Sequence, residues 1–152
     1  MIFRKAASLP LFLLLSACGG GQPIRSQDLS PEARLEELRK AIVLKSDIIS
    51  AEFVLLDANR SSSVPGASGK SYKIFLKLKA TNVRRWTAGK DDWITSFPKD
   101  RSWVHDVIRD PALLHEIETA QYSTYYKSEQ GYDYTLWADY EKGFLLIRYL
   151  QN

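Results

Sequence analysis

Tyr72-Lys73-Ile74-Phe75-Leu76-Lys77-Leu78-Lys79-Ala80 is the most regular stretch of the chain. Tyr72, Ile74, Leu76, Leu78 and Ala80 alternate with Lys73, Phe75, Lys77 and Lys79. A period of two sends the two sets to opposite faces of a β-strand, so the spacing predicts a strand over 72–80 with an apolar face on a core and a lysine-rich face in water. The lysine row has the charge of an anion-binding stripe, and a solvated sheet face has the same composition.

Outward from this strand, residues 48–57 are rich in Ile, Val, Phe and Leu and predict a second strand. Residues 59–69, rich in Ser, Gly and Pro, have the composition of a loop, which makes the two strands an antiparallel hairpin. Further upstream, Ser30-Pro31-Glu32 is a helix start: serine caps a free N–H, proline fits the first helical position and glutamate suits the positive helix end. Leu35, Leu38, Ala41 and Ile42 share one face of this helix, which should run to about residue 44. Its polar face mixes Glu36 and Glu37 with Arg39 and Lys40, which suits packing on a sheet better than lying on a membrane surface.

Downstream, residues 83–109 are irregular and hold Trp86, Trp93 and Trp103. Asp110-Pro111 opens a short helix to about residue 120, and strands follow over 121–127, 132–139 and 144–150, separated by turns ending in Gly131 and Gly143. The expected architecture is α+β: an N-terminal helix packed on a curved antiparallel sheet of about five strands, with a helical insert. This order is similar to that of cystatin-like and NTF2-like folds, an analogy of architecture that implies no activity.

The N-terminus carries the one motif with nameable chemistry. Arg4 and Lys5 precede an apolar run over 9–15, broken by Pro10, and the small pair Ser16-Ala17, the layout of a secretory signal over residues 1–17. Leu15-Ser16-Ala17-Cys18 resembles the lipobox of bacterial lipoproteins. The resemblance implies that Cys18 receives a diacylglycerol thioether, that the signal is cut before it, and that acyl chains anchor the protein in a membrane. Gly19 stands where an aspartate would favour the inner membrane in enteric bacteria, so the outer membrane, facing the periplasm, is the expected location. Residues 18–29 read as a lipidated flexible tether and 30–152 as a single domain.

Charge and composition narrow the functions. Of 21 basic residues, Arg4 and Lys5 belong to the signal, which leaves 19 against 18 acidic ones, and this balance argues against a nucleic-acid partner. Cys18 is the only cysteine, so the domain is expected to rely on its core rather than on disulfides. His105 and His115 have no metal-ligand spacing, and no cofactor motif is present. The neighbours His105-Asp106 and His115-Glu116, and the acid pairs Asp91-Asp92 and Glu116/Glu118, would serve catalysis only if the fold set them across a cleft, so no catalytic residue is assigned.

The arginines Arg84 and Arg85, with Trp86, Trp93 and Trp103 and with Arg101 nearby, form a candidate binding surface. Tryptophans that pin an irregular connection to the sheet would give the same composition. Tyr122, Tyr125, Tyr126, Tyr132, Tyr134 and Tyr140 are accounted for by strand propensity. The leading expectation is a non-enzymatic lipoprotein that binds another envelope or secreted protein, as an accessory of an envelope machine or a toxin-immunity protein. Recognition of a cell-wall glycan or small ligand is the alternative, and an envelope hydrolase the third.

Overall fold

The computed structural model describes residues 21–58 and 69–152. Cys18, the signal and nearly all of the loop read at 59–69 lie outside the described residues.

The chain is α+β, built on one open antiparallel sheet of seven strands in the order β1-β2-β3-β7-β6-β5-β4. The strands are β1 (Ile24–Arg25), β2 (Ser50–Asp57), β3 (Lys70–Lys77), β4 (Ile94–Thr95), β5 (Ser123–Glu129), β6 (Tyr132–Asp139) and β7 (Phe144–Gln151). The helices are α1 (Pro31–Ala41), α2 (Ala80–Thr87), α3 (Val104–Val107) and α4 (Pro111–Glu118). The five long strands overlap the five segments read as strands, with β3 shifted to start at Lys70 and end at Lys77. The two beyond the expected five are two-residue edges, too short for any alternating pattern to register.

Local chemistry explains the helix starts. The Ser30 hydroxyl accepts from the Ala33 N–H at 3.3 Å and the Asp110 carboxylate from the Ala112 N–H at 2.9 Å, each with proline in the first turn. Helix α1 ends at Ala41, three residues earlier than expected, where Ile42 turns extended. Helix α2 lies where the expected strand was to finish and the irregular stretch to begin. It needs only Val83 and Trp86, three apart, to bury one face, and eight residues are too few for a clear helical period.

The sheet is covered on both faces, which corrects the expectation of a wet face. On the first face, Phe53, Tyr72, Ile74, Leu76, Leu136, Leu145 and Ile147 pack under Leu38 of α1 and Val83 and Trp86 of α2. On the second, Phe75, Trp137, Phe144 and Leu146 pack under Trp103, Val104 and Val107 of α3 and Ile117 of α4. Phe75, the apolar member of the lysine row, is fully buried there. Lys73 escapes to the rim and pairs with Asp106 of α3, while Lys77 lies over the Phe144 ring at 5.8 Å. The lysine row is thus divided between an ion pair and aromatic cover.

The segment read as tether also differs. Ile24 and Arg25 pair with Leu55 and Val54, and Ser26 is fully buried. Its Oγ accepts from the Phe53 N–H at 3.0 Å and donates to the Glu52 carboxylate, which Arg34 of α1 also grips at 3.0 Å. A polar, short-side-chain segment has no apolar signature, yet it satisfies a backbone donor on the outer edge of β2.

Candidate functional site

Four tyrosines gather at one end of the first face because they occupy inward positions of neighbouring strands. Tyr72 is opposite Tyr149, and Tyr149 is opposite Tyr134, with Tyr132 two residues before Tyr134 on the same side. Ring centroids lie 5.6 Å apart for Tyr72 and Tyr149, 6.0 Å for Tyr132 and Tyr149, and 6.4 Å for Tyr134 and Tyr149. The spacing is that of edge and tilted aromatic packing, which makes a stiff, amphipathic floor.

The walls come from the end of α1 and from the residues flanking α2. Trp86 donates its indole N–H to the Ser46 hydroxyl at 3.0 Å, which ties α2 to the chain following α1. Trp93 stands edge-on to Tyr134 at 5.0 Å. Together these enclose an open cavity of about 420 Å³, within the range of small-ligand sites (~300–1,000 Å³). Lys40, Lys45, Lys70 and Lys90 border it, and no carboxylate does.

Lys90 is strongly perturbed at the site. Its ammonium lies 3.8 Å from the Trp93 ring centre and 5.4 Å from that of Tyr134. Burial, with repulsion from Lys45 second, holds its pKa well below the ordinary lysine value, at about 8. Burial also pushes the Tyr134 phenol up to about 12. The arrangement can hold a flat or apolar body on tyrosine and present ammonium donors to it.

The structure divides the tryptophan and arginine group of the sequence reading. Trp86 and Trp93 line the cavity, whereas Trp103 is buried on the opposite face against Trp137, at 5.9 Å. Arg84 covers the Tyr140 ring at 5.4 Å, Arg85 is exposed on α2, and Arg101 lies over Tyr122 at 4.8 Å. Lys45, Lys90 and the tyrosine floor were missed. The available signal was parity: Tyr72, Tyr132, Tyr134 and Tyr149 continue the inward phase of strands whose neighbouring inward positions are Leu, Ile or Ala.

None of the candidate acids lines this cavity, although Asp92 lies near enough to act on Lys90. Asp92 pairs with Lys127 at 3.4 Å, and Glu118 with His105 Nε2 at 2.7 Å, with both partners about half exposed. His105 and Glu118 border a smaller cavity with Ser102, but among the described residues only a backbone hydrogen bond, His105 N–H to the Ser102 carbonyl at 3.3 Å, joins Ser102 to His105, and none joins the hydroxyl to the imidazole. Among those residues no cluster of His, Cys, Asp or Glu could hold a metal, and no helix is long and apolar enough to cross a membrane.

The site therefore defines a class: an α+β antiparallel sheet with an aromatic, lysine-bordered cavity on the face covered by α1 and α2. No protein-family model, curated protein or solved structure matches the chain.

Proposed function

We propose that the protein is a lipoprotein anchored through Cys18 in the outer membrane, facing the periplasm, whose domain binds a small ligand or cell-wall glycan fragment in the tyrosine-floored cavity. The observation that carries the binding reading is the cavity itself, concave, aromatic and furnished with convergent polar groups. Aromatic floors suit sugar rings, whose C–H faces lie against π surfaces while their hydroxyls reach donors at the rim. The anchor rests on Leu15-Ser16-Ala17-Cys18.

Two measurements test this. Cys18→Ala should abolish palmitate labelling and release the protein from membranes, and retention of label would refute the anchor. Full-length protein in nonionic micelles should sediment with isolated peptidoglycan or bind its soluble fragments, and Tyr149→Ala should remove that binding. Equal binding by wild type and Tyr149→Ala would refute the cavity as the site.

A protein partner is the second reading, favoured by Ile94 and Phe97, large apolar side chains about 60% exposed in and beside the edge strand β4. Loss of a co-purifying protein from Phe97→Ser, with fragment binding intact, would favour it.

A further inference from the structure

We infer that the cavity takes an anionic ring compound, a sugar-sized ring bearing a carboxylate or phosphate group, with its charge read by Lys45 and Lys90 and its ring laid on Tyr132 and Tyr149. The inference rests on reading the cavity as a ligand site and adds the chemistry of the ligand.

The charges around the cavity do not balance. Lys40 is held by Glu36 at 3.0 Å and Glu37 at 2.7 Å, and Lys70 faces Asp57 at 3.9 Å. Lys45 and Lys90 make no ion pair among the described residues. No acid outside those residues could serve them, because all 18 acidic residues fall between Asp28 and Glu141 and none lies in 59–68. Asp92, the acid that acts on Lys90, is engaged by Lys127.

Two ammonium groups close enough to repel, one of them half-buried, are an unfavourable arrangement for the empty protein. An anion bound beside them screens the repulsion and supplies the Coulombic attraction that offsets the desolvation of Lys90. A half-buried charge is ordinarily paired, and Lys90 has two aromatic rings and the shared Asp92 near it but no ion pair among the described residues.

The aromatic surface fixes where the rest of the ligand lies. Lys90 occupies the face of Trp93, and Trp86 is nearly fully buried, so neither offers a free ring face. The open ends of the tyrosine floor are the remaining surface. A cationic ligand, which aromatic cages often take, is disfavoured because Lys90 already fills that role and four ammonium groups border the space.

The test uses the full chain in nonionic micelles at pH 7, titrated calorimetrically with matched probes: glucuronate against glucose, N-acetylmuramate against N-acetylglucosamine, and glucose 6-phosphate. Acetate and inorganic phosphate serve as ringless anions. Each anionic sugar should bind at least about tenfold more tightly than its neutral partner, a difference of roughly 1.4 kcal/mol, and the ringless anions weakly. The ranking of N-acetylmuramate against glucose 6-phosphate separates a cell-wall source from a soluble sugar phosphate. Lys90→Gln and Lys45→Gln should each weaken binding about five- to tenfold, and Lys90→Arg should restore most of it. Neutral sugars binding as tightly as the acids would overturn the anionic ligand while leaving the cavity reading in place. Failure of every sugar, charged or neutral, would overturn both.

Discussion

Gly143→Ala should destabilise the fold far more than any other glycine change in a turn of this sheet. Gly143 has φ +73° and ends the turn between β6 and β7. A Cβ there would stand 2.2 Å from the Leu78 carbonyl oxygen and 3.1 Å from its carbon. Both atoms are backbone, so no side-chain rotation relieves the overlap. The turn cannot swing away easily either. The Asp139 carboxylate accepts from the Glu141, Lys142 and Gln121 N–H groups at 2.8–3.0 Å, and the Gly143 N–H donates to the Asp139 carbonyl at 3.1 Å.

Three contributions set the size of the effect. Left-handed backbone costs an alanine roughly 1–2 kcal/mol. Displacing Leu78 breaks its 2.8 Å hydrogen bond to the Gly143 carbonyl, about 1 kcal/mol, and exposes part of a buried leucine, about another. The total is about 3–4 kcal/mol. Gly131→Ala is the internal control: φ is +94°, but the added Cβ meets nothing within 4 Å, so only the torsional cost of about 1–2 kcal/mol applies. With a urea slope of about 2 kcal/mol per M, Gly143→Ala should lower the unfolding midpoint by about 1.5–2 M and Gly131→Ala by about 0.5–1 M. Tryptophan fluorescence during urea unfolding reads both. A Gly143→Ala shift no larger than that of Gly131→Ala would refute the close approach of this turn to the end of β3.

Ser26→Ala should cost about 1–3 kcal/mol by the same assay, because it strands the buried Phe53 N–H and removes the donor to Glu52; a change under about 0.5 kcal/mol would mean that residues 24–28 do not belong to the folded domain. The lowered pKa of Lys90 predicts a pH dependence of stability. Lys45, Asp92, Lys127 and Tyr134 face Lys90. Below about pH 8 the lysine is charged in both states and its unfavourable burial is fully present. From about 8 upward the folded state sheds the proton first, the unfolded state binds more protons, and stability rises by about 1–2 kcal/mol after allowance for solvent screening. Above about pH 9.5 the tyrosines oppose this, since burial of Tyr125 and Tyr134 raises their pKa to about 12 and favours folding only while the unfolded phenols stay protonated. Lys90→Met should flatten the rise between pH 8 and 9.5, measured by urea midpoints across that range, and an unchanged rise would assign it elsewhere.

The long elements were legible because their patterns are long. Alternation announces β3, runs of strand-forming residues bounded by turns announce β2, β6 and β7, and Ser30-Pro31 and Asp110-Pro111 announce helices with caps that the structure realises. The second covered face was masked by Lys73 and Lys77, half-buried beside Asp106 and the Phe144 ring, while only Phe75 between them is fully buried on that face. Of the site, Trp86 and Trp93 were legible as a pair, and Trp103 was grouped with them because nearness in sequence says nothing about which side of a sheet a connection crosses. The tyrosine floor is assembled from β3, β6 and β7, so no local window contains it. Lys45 and Lys90 become notable only when the pairing of every acid is known.

The most direct test of the ligand site is the response of the four indole N–H signals in a nitrogen-labelled sample titrated with N-acetylmuramate or glucuronate. Trp93 and Trp86 border the cavity, while Trp103 and Trp137 are buried together on the other face. Saturating ligand should move the Trp93 signal most and Trp86 less, with Trp103 and Trp137 unchanged. Movement confined to Trp103 or Trp137, or no movement at a concentration where calorimetry records binding, would place the ligand elsewhere and contradict the account.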